Sequence, residues 1–137
     1  MKTSLFFISL TCVLAVSFAV KPVNKEHRST CLKENPISDA VLADLRDAKF
    51  ADHTDDVKCY VACLMKISGV LKDGAYNVNA ALEFFPDDVQ SVFKSVFDKC
   101  VGQVNDKGAT EDCEIAKIMF QCFYDVEPSL LEAGDFF

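Results

Sequence analysis

An all-α domain held together by disulfides is expected from three features of this sequence. The segments between loop signals repeat their apolar residues at helical rather than alternating spacing. Six cysteines follow an apolar leader, and 137 residues are enough for one self-sufficient core. Taken in chain order, the segments give about six helices.

The chain opens on a leader. Lys2 is followed by an apolar run over 5–18, and Ser17-Phe18-Ala19 supplies a small-x-small cleavage site, so residues 1–19 are expected to be a secretory signal peptide and 20–137 a single domain. The run is short for a bilayer span, and no later segment approaches one, so a secreted, extracellular protein without a membrane anchor is expected. Removing the leader takes Cys12 with it and leaves six cysteines.

A first helix is expected over 23–34, carrying Cys31, with a loop at Asn35-Pro36. A second follows Ser38 with Val41, Leu42 and Leu45. The loop at 49–53 leads to Thr54, read as the N-cap of a third helix that has Asp55 and Asp56 in its first turn and ends at Gly69. Its apolar face is Val57, Tyr60, Val61, Leu64 and Ser68, and it carries Cys59 and Cys63. Residues 69–77, rich in Gly, Asp and Asn, read as a loop, and 78–84 as a short helix.

The strongest pattern starts at Pro86. Val89, Val92, Phe93, Val96, Phe97, Cys100 and Val101 share one face opposite Gln90, Lys94, Ser95, Asp98 and Lys99. Pro86 suits a first turn, Asp87 and Asp88 complement its dipole, and Gly102 marks the expected end, with a loop over 102–109. The last helix, from Thr110, carries Ile115, Ala116, Ile118, Met119, Phe120, Phe123 and Tyr124 around most of its circumference, which places it centrally. Beyond it, Pro128, Leu130, Leu131, Phe136 and Phe137 make the tail too apolar for an ordinary solvated terminus.

Composition excludes several activities. With 21 acidic against 14 basic residues, a net charge of -7 and no basic run, neither nucleic acid nor an anionic membrane surface is a fitting partner. The chain has no G-x-S-x-G, no H-E-x-x-H and no phosphate-cradling glycine loop, and its carboxylates sit at helix starts and on polar faces, so no enzyme activity is expected. His27 and His53 stand at no ligand spacing to the cysteines, so neither a metal nor another cofactor is expected. His53, among Asp52, Asp55 and Asp56, reads as a loop histidine beside a helix start, with proton sensing as the sharper alternative.

In an exported chain the six cysteines read as three disulfides. Cys59 and Cys63, one helical turn apart, have Cβ atoms about 5–6 Å apart, wider than the roughly 3.5–4.5 Å a disulfide spans. Cys113 and Cys122 are separated by about 13.5 Å along one helix. These two exclusions leave ten of the fifteen possible connectivities.

The gaps of 27, 3, 36, 12 and 8 residues, with the Cys59-x3-Cys63 and Cys113-x8-Cys122 pairs, closely resemble those of insect odorant-binding proteins of the pheromone-binding and general odorant-binding type. The resemblance covers the whole chain after the leader. It implies the pairings Cys31–Cys63, Cys59–Cys113 and Cys100–Cys122, and a compact bundle around an apolar cavity. It also implies a carrier, monomeric or weakly dimeric, that takes an odorant or pheromone (an alcohol, ester, aldehyde, terpenoid or fatty-acid-like molecule) through sensillar lymph to an olfactory receptor. A family member carrying hydrophobic ligands in another secreted fluid is the alternative. By position relative to the cysteines, the implied cavity wall is Leu45, Val61, Met65, Val70, Leu71, Phe97, Met119, Phe120 and Phe123. Ser68 is the candidate polar handle for an alcohol or carbonyl, unless its hydroxyl bonds back to a helix carbonyl.

Overall fold

The computed structural model describes residues 24–47, 49 and 52–127. The signal-peptide expectation at 1–19 and the tail at 128–137 lie outside these residues. The described chain forms six helices and one small hairpin: α1 Lys25–Glu34, α2 Asp39–Arg46, α3 Thr54–Ile67, β1 Leu71–Lys72, β2 Ala75–Tyr76, α4 Val78–Leu82, α5 Gln90–Lys107 and α6 Asp112–Val126.

Side-chain caps start three of the helices. Asn24 accepts from the Glu26 amide at 2.8 Å, Ser38 from the Val41 amide at 3.3 Å and Asn77 from the Ala80 amide at 3.1 Å. Thr54, however, is not a cap: α3 begins on it, and His53 holds the N-cap position with its ring turned to Asp44 rather than to the helix amides. The last helix likewise starts at Asp112 rather than Thr110, behind Glu111.

The start of α5 also differs from expectation. Residues 86–89 form a turn closed by the Val89 amide on the Pro86 carbonyl at 3.1 Å, and Gln90 Nε2 donates to the Phe85 carbonyl at 3.1 Å. At its other end α5 runs through Gly102 and stops at Gly108, whose φ of 64° is the left-handed conformation of a C-terminal glycine. Packing carries the helix across Gly102: Phe93, Val96, Phe97, Cys100 and Val104 are all buried on one face, so breaking the helix at 102 would expose Val104. A Cβ at Gly102 meets nothing within 4 Å. Gly102→Ala is therefore expected to raise stability by about 0.4–1 kcal/mol, read as a higher denaturation midpoint with an unchanged m-value.

Residues 69–77 are not simply a loop. Leu71 pairs with Tyr76 and Lys72 with Ala75, antiparallel, around Asp73 (φ 53°) and Gly74 (φ 71°). Two positive φ angles make the tight turn whose hand matches strand twist, which Asp-Gly favours.

The central position of α6 holds. Its largest packing surfaces are with α3 and α5, while α1 packs on α3 and α4 on α5. The disulfides are Cys31–Cys63, Cys59–Cys113 and Cys100–Cys122, as the resemblance implied. They link four helices in series, α1 to α3 to α6 to α5, whereas α2 and α4 are held by packing and hydrogen bonds. Among the described residues, no helix is long and apolar enough to cross a membrane.

Candidate functional site

The frame encloses one continuous apolar interior. No polar or charged residue is buried among the described residues. Its densest part is aromatic. Phe85 lies 4.4 Å from Phe93 and 5.8 Å from Phe97 between ring centroids, and Phe97 meets Phe123 edge-on at 5.0 Å. Tyr76, on β2, closes the group at 6.1 Å from both Phe97 and Phe123. These are the offset and tilted arrangements aromatic rings prefer, and each adds about 0.5–1.5 kcal/mol beyond burial.

The sequence-derived wall residues fall in or against this interior. Leu45, Val61, Val70, Leu71, Phe97, Met119, Phe120 and Phe123 are buried, and Met65 packs half-buried against them. They come from α2, α3, the hairpin, α5 and α6, which is why no single stretch of sequence displays the site. Phe97 and Phe123 touch directly. Val61 and Phe120 also border the seam between α3 and α6, a crevice lined by Thr54, Val57, Lys58, Ala116 and Lys117 that is too narrow for a water molecule. Ser68 is half-buried at the end of α3, and its hydroxyl donates to the Leu64 carbonyl at 2.6 Å, the bond to its own helix that the spacing allowed.

Four aromatic residues escaped the wall assignment. Phe85 sits in the turn before α5, where no periodicity marks it, and Phe93 lies on a helix face that reads as ordinary core. Tyr76 is the lone aromatic in a Gly-, Asp- and Asn-rich stretch. Tyr60 is 1 % exposed, and its hydroxyl makes no hydrogen bond among the described residues. Burial pushes the Tyr60 phenol up, while the positive guanidiniums of Arg28 and Arg46 pull the other way.

Charge is confined to the surface and ties helices together. His53 Nε2 shares a hydrogen bond of 3.0 Å with Asp44 Oδ2, linking the start of α3 to α2. Across α3 and α6, Lys58 pairs with Glu114, Lys117 with Asp55 at 2.7 Å and Lys66 with Asp112 at 3.3 Å, flanking the Cys59–Cys113 bridge. Hydrogen bonds from the lysines hold the Asp55 and Glu114 carboxyls below the usual carboxylate range, and Glu114 holds the Lys58 ammonium above its own. The depressed carboxylates stabilise the fold above their unfolded pKa values and lose that contribution only as pH falls through the still lower folded ones. The raised ammonium keeps its contribution until pH climbs past the usual lysine range. At pH 5 these pairs are therefore expected to stay intact. Carboxyl NMR titration checks this: Asp55 and Glu114 should show midpoints below 3.8 and 4.5, and midpoints above those values would contradict the pairing.

Among the described residues, two hollows open on the surface. One, of about 490 Å³, is lined by Lys25, Arg28, Ser29, Leu32, Lys33 and Arg46 on α1 and α2. The other, of about 700 Å³, runs beside the hairpin between Lys72, Tyr76, Val78, Lys94 and Asp98. Among the described residues no three His, Cys, Asp or Glu side chains are grouped to hold a metal.

Known proteins are similar to this chain in sequence and in fold. The model of the PBP/GOBP family matches residues 19–126. General odorant-binding protein 72 of Anopheles gambiae is 33% identical over 108 residues, covering 76% of this chain and 87% of that protein. General odorant-binding protein 56a of Drosophila melanogaster is 26% identical over 135 residues, covering 90% and 94%. Among solved structures, an odorant binding protein of Locusta migratoria superposes with a TM-score of 0.69 at 24% identity over 85% of this chain and 91% of that one, a likeness of fold. Odorant binding protein 5 of Apis mellifera gives 0.56 at 25% identity over 76% and 85%.

Proposed function

This chain belongs to the PBP/GOBP family, and on that premise we propose that it is a secreted carrier of small hydrophobic odorants or pheromones, which it takes through sensillar lymph to olfactory receptors. The observation that carries the reading is the interior itself: a disulfide-stapled helical frame around aromatic and aliphatic side chains, with no buried polar or charged residue among those described.

Such an interior binds by removing apolar ligand surface from water. Each buried CH₂ contributes about 0.8 kcal/mol before association costs, so a ligand of roughly ten carbons reaches useful affinity without any strong polar contact. Leu45, Val61, Met65, Val70, Leu71, Phe97, Met119, Phe120 and Phe123 form the wall in this reading. Ser68, already bonded to its own helix, offers a lone pair rather than its proton. Carriage involves no bond breaking, so the reading contains no catalytic step. The protein acts as a monomer or weak dimer.

The test is displacement of a fluorescent apolar probe from the disulfide-intact protein by long-chain alcohols, esters, aldehydes, terpenoids and fatty acids. Saturable displacement supports the carrier, and a folded, monodisperse protein that binds no probe overturns it. Expression confined to chemosensory tissue supports the olfactory assignment, whereas expression in saliva, venom or reproductive fluid favours transport there.

A further inference from the structure

The hairpin places one side chain between solvent and the aromatic interior. Tyr76 lines the 700 Å³ groove with Lys72, Asn77, Val78 and Lys94, and its ring meets Phe97 and Phe123. Phe97 and Phe123 are themselves 2% and 5% exposed. Tyr76 thus both lines the groove and touches the two buried rings.

Two features make this ring displaceable. Its element is small: two strands of two residues each, turned at Asp73-Gly74, with the Asn77 amide on the Val70 carbonyl at 2.6 Å closing the base. No disulfide reaches it, because the three bridges join α1, α3, α6 and α5. Moreover, the Tyr76 hydroxyl has no hydrogen-bond partner among the described residues, and burial pushes its phenol far above the ordinary tyrosine value. The residue is only half-buried and no hydrogen bond to the described residues holds its hydroxyl, so swinging outward gives up aromatic contact without breaking a hydrogen bond. A ligand bearing an acceptor oxygen can satisfy the same hydroxyl on its way in.

Resting on the carrier reading, we propose that the groove beside the hairpin is the mouth of the ligand site, that the Tyr76 ring is its gate, and that the Tyr76 hydroxyl selects apolar ligands carrying an acceptor oxygen. Gating acts on rates more than on affinity, because the ring obstructs uptake and release alike.

Stopped-flow mixing of the disulfide-intact protein with N-phenyl-1-naphthylamine tests the gate. Tyr76→Ala should raise both the association and the dissociation rate by about tenfold, leaving Kd within about threefold. Gly74→Ala strains the turn at φ 71° and brings its Cβ to 3.3 Å from the Thr110 carbonyl oxygen, so it should raise both rates without altering the ring. Tyr76→Phe keeps the ring and should keep wild-type rates, but lose about tenfold of the preference for a long-chain ketone over the matching alkane. Probe binding with Tyr76→Ala rates within twofold of wild type overturns the gate and leaves the carrier standing. An unchanged ketone preference in Tyr76→Phe overturns the selective role of the hydroxyl. A wild-type protein that binds no probe overturns gate and carrier together.

Discussion

Replacing Cys59 and Cys113 together with alanine is expected to lower the free energy of unfolding by about 4 kcal/mol. The bridge closes the longest loop of the three, with a separation of 54 residues against 32 and 22. In the chain-entropy account, a loop of that length restricts the unfolded ensemble by roughly 4 kcal/mol, and the shortest one by about 3.4 kcal/mol. Against a typical total of about 5–15 kcal/mol, that is a large share of the stability. The bridge also joins α3 to α6, the pair of helices with the largest mutual packing surface. The Lys58–Glu114 and Lys117–Asp55 pairs cannot replace it, since solvent screens exposed ion pairs and leaves each of them weak. Equilibrium denaturation in guanidinium chloride measures the change. A loss under about 1 kcal/mol would mean that packing alone sets the α3–α6 seam.

Phe97→Ala should cost about 3–5 kcal/mol, the range for a fully buried phenylalanine whose site cannot collapse. Phe97 is 2% exposed and touches Phe85 in the turn before α5, Phe123 on the disulfide-anchored α6 and Tyr76 on the hairpin, and of these Phe85 and Phe123 are themselves buried. These two hold the vacated space open. For a ligand wall, that space has a second consequence: bulky terpenoids should gain affinity relative to linear alcohols in the variant, and a bound bulky ligand should restore part of the lost stability. Denaturation with and without ligand reads both effects. A stability loss with unchanged ligand ranking would make Phe97 core rather than wall.

The helices were legible because each buries one face of regularly spaced apolar residues. Val89 to Val101 announce α5, and Ile115 to Phe123 announce the central helix, without reference to any relative. What was illegible has specific causes. Gly102 has the look of a helix end, but the buried Val104 beyond it belongs to the same packed face, and tertiary contact overrides local preference. The hairpin has strands of two residues, too short for alternation to show, although Asp73-Gly74 carries its turn signal. Cysteine spacing eliminated only pairings that helix geometry forbids, so the actual connectivity came from the resemblance. Within the site, Phe97, Met119 and Phe123 could be named because the resemblance places them by their positions relative to the cysteines. Phe85 and Tyr76 could not, because a turn and a hairpin aim them inward and only the folded chain brings them together.

The central claim is that a hydrophobic ligand lies inside this frame. Met65 and Met119 are the two methionines among the described residues, Met65 at the half-buried edge of the wall and Met119 with no exposure at all. Methionine-methyl NMR of the disulfide-intact protein, titrated with a long-chain alcohol or ester, places the ligand directly. Saturable shifts of the Met119 methyl, with nuclear Overhauser contacts from ligand protons, are the predicted result. A ligand that binds while the Met119 methyl stays unmoved and without such contacts would put binding on the surface and contradict the account.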